Sequence, residues 1–196
     1  MQELAAINYL LRKAGRDPAA DIGSLNPQAA NAKTTLGRVR TEVLETGFRW
    51  NTREITLAVN VAKHVPISED YLSVVLPATL VAQTDDNDGE RYVWDETTNT
   101  WHTAVVKSVR VIFDLSEFTH IPHKFATWIA RQAAVEYWSE VNAGKTASDQ
   151  LQIEAASARQ KALNSEPLPN IRENTRWNQR RRAFHRGPSD RTVSFF

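Results

Sequence analysis

The sequence of 196 residues contains no cysteine. Disulfide bonds, thiolate zinc sites, iron–sulfur clusters and cysteine nucleophiles are therefore excluded together. No apolar run approaches the roughly 20 residues that a membrane-spanning helix requires. The first 15 residues also lack the basic segment that opens a signal peptide. These absences predict a protein that is made in the cytoplasm and does not enter a membrane.

Glycine is scarce as well, and none of the seven glycines lies in a phosphate-binding motif. The serine, histidine and aspartate residues within 64–73 have no nucleophile elbow beside them. Pro122 interrupts the helical spacing between His120 and His123, which favours surface histidines over a metal pair. The run Thr84–Gly89 has no aspartate at the first ligand position of a calcium loop and is expected to form an exposed acidic turn. We therefore expect no catalysis, no metal and no cofactor.

The charge is unevenly distributed although the net charge is only +1. Residues 170–196 carry seven arginines against two acidic residues, a net charge of +5, and the rest of the chain carries −4. A basic segment that also contains aromatic residues suits contact with phosphates and bases, and it equally suits a protein interface. The candidate contact residues of this C-terminal arm are Arg172, Arg176, Trp177, Arg180, Arg181, Arg182, Phe184, Arg186, Phe195 and Phe196.

Four segments have helical periodicity. They predict helices over residues 2–14, 27–46, 123–141 and 147–164. Asn26 is the expected N-cap of the second helix, Pro27 its first residue and Gly47 its stop signal. The aromatic residues of the third helix, which include Trp128, Tyr137 and Trp138, are expected to belong to the core rather than to stack on bases.

The middle of the chain has strand spacing. Alternation predicts strands over residues 55–61, 71–76, 91–95, 101–106 and 108–115, which we expect to form one small antiparallel sheet. Asp88-Gly89 marks a tight turn, and Trp94 and Trp101 are expected to pair across a hairpin.

The predicted fold class is α+β, a four-helix bundle with an inserted small antiparallel β domain and an extended C-terminal tail. Residues 1–54 supply helices 1 and 2, residues 55–116 the β domain, residues 117–166 helices 3 and 4, and residues 167–196 the basic arm.

Six segments in order carry a resemblance to a known family. They are AINYLLRKAGRDP (6–18), AANAKTTL (29–36), VLETGFRWNT (43–52), DYLSVVLP (70–77), RYVWDETTNTW (91–101), and VRVIFDLSEF with FATWIARQAAVEYW (109–138). Their order and spacing over residues 4–165 resemble the tail tubular protein A, or head-to-tail adaptor, family of short-tailed bacteriophages.

The resemblance implies a structural virion protein of the phage tail. About twelve copies would form a ring between the portal and the tail nozzle (tail tubular protein B), and genomic DNA would pass through it without sequence-specific contact. The tail fibre or tailspike would attach near the junction with the nozzle. We predict that the basic arm binds an acidic portal surface and that the β domain contacts nozzle or fibre through Asp85, Asp86, Asp88, Trp94 and Trp101.

Two alternatives remain at this point. The arginine-rich arm would allow a nucleic-acid-binding protein, whose DNA affinity would fall steeply with salt. A tail hydrolase that acts on the cell wall would need paired acidic residues, and the pair Asp85/Asp86 lies on a turn.

Overall fold

The computed structural model describes residues 1–23 and 26–166, and Met1–Ser165 form one compact unit. Within these residues the fold is α+β, as predicted, with four α-helices and two antiparallel sheets. The helices are α1 (Glu3–Lys13), α2 (Pro27–Leu44), α3 (His123–Val141) and α4 (Asp149–Leu163). The strands are β1 (Thr52–Leu57), β2 (Tyr71–Val75), β3 (Leu80–Thr84), β4 (Arg91–Asp95), β5 (Thr100–Trp101) and β6 (Val106–Phe113), and Phe118–His120 form a single 3-10 turn.

The start of α2 follows the predicted capping pattern. The Oδ1 atom of Asn26 accepts a hydrogen bond from the Ala29 amide at 2.8 Å, and Pro27 occupies the first helical position. The helix ends at Leu44, two residues earlier than predicted, and Gly47 follows with a φ of +75°. Local sequence signals therefore account for both ends of this helix.

The four helices share one hydrophobic core, and α3 contacts each of the other three. Trp128 and Tyr137 are buried in this core and Trp138 packs against it, which confirms the core interpretation of the aromatic residues of α3. Alanines of α3 and α4, including Ala133 and Ala158, are also buried, so the helices can approach closely.

The helix directions follow from contacts along α3. Near the C-terminal end of α3, the carboxylate of Glu140 accepts a hydrogen bond from the hydroxyl of Thr35 in α2. At the N-terminal end of α3, Phe125 packs against Phe48, which follows α2 in the sequence. Thus α2 is antiparallel to α3. Because the connection of residues 142–148 is short and Arg131 donates to the Glu154 carbonyl, α4 is antiparallel to α3 as well. It follows that α2 and α4 run in the same direction.

The predicted single sheet is wrong, because the strands form two three-stranded sheets, in the orders β1–β6–β2 and β3–β4–β5. The hairpin partner of β4 is only two residues long. Beyond it the His102 amide donates to the Val93 carbonyl, and the chain then leaves this sheet, so Val106 begins β6 in the other one. Strand β6 spans Val106–Phe113 rather than 108–115, with a bulge at Ser108, whose φ is +54°.

The predicted strand over 55–61 is also too long at its end. Strand β1 stops at Leu57, and Val61 is fully exposed in a turn closed by hydrogen bonds between Asn60 and His64. Both the side chain and the backbone of Asn60 form these hydrogen bonds. They favour a turn here, although the alternating valines are typical of a strand.

The two sheets share a second hydrophobic core, whose fully buried members include Val65, Val93, Val109 and Val111. The other face of β6 carries Ile112, which lies against Gly47 at the end of α2. The sheet β1–β6–β2 is therefore packed on both faces near this point.

Candidate functional site

Strand β4 places its side chains on two different faces of the sheet β3–β4–β5. Val93 points into the buried core, whereas Tyr92 and Trp94 lie on the opposite face, because successive strand residues alternate. Trp101 of β5 is the register partner of Trp94, which confirms the predicted cross-hairpin pair. Trp94 and Trp101 are half-buried, so this aromatic face is partly open to solvent.

Four rings form the aromatic face. The Trp94 and Trp101 ring centroids are 4.9 Å apart and nearly perpendicular, and Tyr92 lies 5.7 Å from Trp101. His64, from the loop after β1, adds a fourth ring at 5.3 Å from Tyr92 and 5.7 Å from Trp101. Edge-to-face contacts of this kind hold the rings in fixed orientations.

The acidic turn between β3 and β4 is built by its own side chains. The Gly89 amide donates to the Asp85 carbonyl at 2.8 Å, and Gly89 has a φ of +74°. The Oδ1 atom of Asp85 accepts from both the backbone and the side chain of Asn87. Asp86 is exposed at the tip. The turn is thus a defined structure that presents carboxylates to solvent.

One hydrogen bond joins the turn to the aromatic face. The Tyr92 hydroxyl donates to Oδ2 of Asp88 at 2.8 Å, while Oδ1 of Asp88 accepts from the Glu90 amide. The Glu90 N–H and the Tyr92 O–H hold the pKa of the Asp88 carboxyl below its ordinary value. The same bond raises the pKa of Tyr92 to about 12, since the hydroxyl donates to a carboxylate. Asp88 is therefore charged at neutral pH.

The structure brings the predicted residues Asp88, Trp94 and Trp101 into one surface and adds Tyr92 and His64, which the sequence analysis did not include. Tyr92 is two residues before Trp94 in the same strand, so both lie on one face of the sheet. This spacing could have predicted Tyr92 from the sequence. No local signal could have identified His64, which comes from a distant loop.

The predicted arm residues, Arg172 to Phe196, lie outside the described residues. Of the histidine pair, His120 lies 3.4 Å from Glu117 on the surface, and His123 begins α3. Among residues 1–23 and 26–166, no group of three histidine or acidic side chains could hold a metal ion. None of the described helices is both long and apolar enough to cross a lipid bilayer.

The aromatic face and acidic turn offer ring edges, an indole surface and carboxylates. Aromatic residues beside charged groups are typical of protein interfaces, where rings supply area and carboxylates select a basic partner. This combination is suited to binding a protein.

Comparison with known proteins gives the same assignment twice. The family model described as "tail tubular protein" matches residues 4–170, which include all the described helices and strands except Glu3, the first residue of α1. The chain is also similar to tail tubular protein A of Klebsiella phage KP34, with 31% identity over 140 residues, 70% of this chain and 72% of the relative. The chain belongs to the tail tubular protein family and is a structural component of a bacteriophage tail.

Proposed function

We propose that the chain is a head-to-tail adaptor. About twelve copies form a ring between the portal and the tail nozzle, and the genome passes through this ring during ejection. Membership in the tail tubular protein family carries the proposal, because the match extends over residues 4–170. The role is structural and not enzymatic.

The charge distribution supports passage of DNA. Every phosphate that a channel wall neutralises adds affinity and slows transit. Outside residues 170–196 the chain carries a net charge of −4, so this part of the ring has no net electrostatic attraction for DNA. In this proposal DNA passes through the ring without sequence-specific contact.

The adaptor needs different surfaces for its two neighbours along the tail. In this proposal the basic arm, with Arg180, Arg181 and Arg182 at its centre, binds an acidic surface of the portal. The aromatic face and acidic turn contact the nozzle or a tail fibre. Repetition around the ring multiplies a weak contact per copy into a stable attachment.

The domain organisation that fits this role is a helix bundle from residues 1–54 and 117–166, with residues 55–116 inserted as a β domain and 167–196 as the arm. The separate helical and sheet cores support it. A bundle and a β domain would give each subunit distinct faces for its partners.

The test mixes the full chain with the portal ring of the same phage and examines the product by electron microscopy and native mass spectrometry. We expect a coaxial ring of about twelve chains on the portal. Replacing Arg180, Arg181 and Arg182 with serine should prevent this complex. A matched variant that removes three exposed positive charges elsewhere, at Lys33, Lys63 and Lys107, should still assemble.

If the chain forms no complex with the portal, the adaptor proposal is wrong. If the chain instead binds DNA with a steep salt dependence that the triple arginine variant loses, the arm is a nucleic-acid-binding segment.

A further inference from the structure

Strand β3 forms an open edge of the sheet β3–β4–β5. It pairs with β4 on one side, and no strand in the described part of the chain pairs with its other side. Its last three residues, Ala82, Gln83 and Thr84, are exposed to solvent. An edge of this kind presents backbone groups to which a further strand can add.

The hydrogen bond at the end of β3 identifies which backbone groups face outward. The Asp85 amide donates to the Glu90 carbonyl at 2.8 Å, so this pair belongs to the ladder with β4. Because hydrogen-bonded pairs alternate along antiparallel strands, Gln83 also bonds to β4. The N–H and C=O groups of Ala82 and Thr84 therefore point away from the sheet.

The register partner of Ala82 agrees with this direction. That partner is Val93, whose amide donates to the Val65 carbonyl at 3.0 Å. The Val93 carbonyl accepts from the His102 amide at 2.8 Å. Both backbone groups of Val93 are thus used on the far side of β4, and those of Ala82 are left for a partner strand.

The other sheet edges carry features that hinder strand addition. Natural proteins protect edges with bulges, short strands, charged side chains and proline. Among the described strands, β1 and β2 each have an irregular register, and β5 is only two residues long. Strand β1 also contains Arg53 and Glu54. In β3 the register is regular over all five residues, Leu80–Thr84, and none of them is charged or proline.

The surroundings of β3 are strongly acidic. Residues 80–101, which contain the three strands of this sheet and their turns, carry six acidic residues and one arginine, a net charge of −5. The acidic turn follows β3 directly, and Asp95 is the register partner of Leu80 at the opposite end. A partner strand would therefore meet carboxylates at both of its ends.

Few basic groups balance this charge. Arg91 donates to the Tyr71 carbonyl at 3.5 Å, and His64 lies near enough to Asp88 to help lower the pKa of that carboxyl. Within residues 1–23 and 26–166, no lysine or arginine forms an ion pair with the acidic turn. The turn is thus available to a cation from a partner.

The same charge indicates what kind of strand fits the edge. Two copies of this edge would bring like charges together, which disfavours pairing with a second copy. A partner segment must instead be extended and carry basic residues beside the turn. Val81 and Trp94 are register partners on the outer face, so a long side chain of the partner can cross Val81 to contact the aromatic face.

We infer that β3 binds an extended basic segment of the nozzle protein by strand addition. The inference rests on the proposed adaptor function and gives the mode of contact at the aromatic face and acidic turn. Main-chain hydrogen bonds to Ala82 and Thr84 supply affinity, and the carboxylates and rings supply specificity. Each copy in the ring offers one such edge, so the contact is repeated around the ring.

The first test replaces Ala82 with proline in the full chain, which is assembled on the portal ring and titrated with the nozzle protein of the same phage. Ala82→Pro removes an outward N–H and leaves the bonds to β4, which come from neighbouring residues. Ala82→Val is the matched control that keeps the N–H. We expect Ala82→Pro to weaken nozzle binding at least tenfold and Ala82→Val to change it less than twofold. Near-ultraviolet circular dichroism of the Trp94–Trp101 pair checks that the sheet is intact.

Hydrogen exchange of the unmodified chain gives a second readout that needs no substitution. In portal-bound rings without nozzle, the amides of Ala82 and Thr84 should exchange at least tenfold faster than the amide of Gln83. Addition of the nozzle protein should slow the two outward amides to a rate close to that of Gln83. This alternation is specific to strand addition, because a contact made by side chains alone does not supply acceptors to alternate amides.

Other outcomes overturn the inference and leave the adaptor proposal standing. Equal nozzle binding by the folded proline and valine variants shows that the contact does not use this edge. Slow exchange at Ala82 and Thr84 before the nozzle is added shows that the chain itself, a neighbouring copy or the portal already covers the edge. Protection that appears only with the tail fibre identifies the fibre as the partner. If the unmodified chain forms no ring on the portal, or the ring does not bind the nozzle, the proposed function itself fails.

Discussion

Replacement of Gly47 by alanine tests how the end of α2 is joined to the sheet β1–β6–β2. Gly47 has a φ of +75°, and a Cβ added there would lie 2.8 Å from Cδ1 of Ile112. Gly15, after α1, provides a matched control with a φ of +69° and no atom within 4 Å of an added Cβ. Both substitutions place alanine in a left-handed backbone conformation, at a similar cost in stability. Only Gly47→Ala also places a Cβ too close to another side chain.

The magnitudes follow from these two terms. A left-handed conformation costs an L-residue about 1–2 kcal/mol, so Gly15→Ala should lower the free energy of unfolding by about that amount. In Gly47→Ala the Ile112 side chain must also move within packed surroundings, which adds roughly 1–3 kcal/mol. We therefore expect Gly47→Ala to lower the free energy of unfolding by about 2–5 kcal/mol.

Urea unfolding of both variants, followed by circular dichroism, measures the difference. Ile112→Val removes the Cδ1 atom, so Gly47→Ala should cost less in that background than in the unmodified chain. The reasoning is refuted if Gly15→Ala and Gly47→Ala lose equal stability. It is also refuted if the loss at Gly47 is the same with valine at position 112.

Two further predictions concern carboxylates. Hydrogen bonds from Lys13 and Tyr9 lower the pKa of Glu154 to about 2 in the folded chain, so its contribution is full above about pH 4.5 and is lost as the pH falls through 2. Glu154→Gln should therefore cost about 1 kcal/mol at pH 7, discounted because the group is partly exposed, and nothing below pH 2, measured by denaturation at each pH. Tyr92→Phe removes a donor to Asp88, so an NMR titration should show a higher Asp88 pKa, still below the ordinary value because the backbone donor remains.

The helices could be predicted almost completely from the sequence. Their signals are local, because an N-cap such as Asn26 and a stop signal such as Gly47 act on residues within one turn. The buried positions of α3 also follow from periodicity, since Tyr137 and Trp128 lie on the stripe that the spacing defines.

The strands were harder to predict because pairing is not local. Alternation continues through Val59 and Val61, yet the Asn60–His64 turn ends the strand before them. Local alternation also cannot reveal which strands share a sheet. Only the distant pairing of β6 with β1 and β2 separates Val106 from the preceding hairpin.

In the candidate site too, some contacts could be predicted from the sequence and others could not. Trp94 and Trp101 could be paired from the sequence because a short turn joins their strands. His64 lies on the same face but comes from the loop after β1, so β2 and β3 separate it from Trp101 in the sequence. Nothing in the residues next to His64 predicts its contact with Trp101. Residues that are close in sequence were found, and those joined by folding were not.

Helix α4 shows how polar contacts position a helix that has little apolar surface of its own. Its buried stripe consists mainly of alanines, which give little apolar area to hold it against α3. Glu154 supplies what the stripe lacks, since its carboxylate accepts from Tyr9 at 2.7 Å and lies 2.9 Å from Lys13, and its carbonyl accepts from Arg131. These contacts fix the rotation of α4 and so fix the outward direction of Ile153.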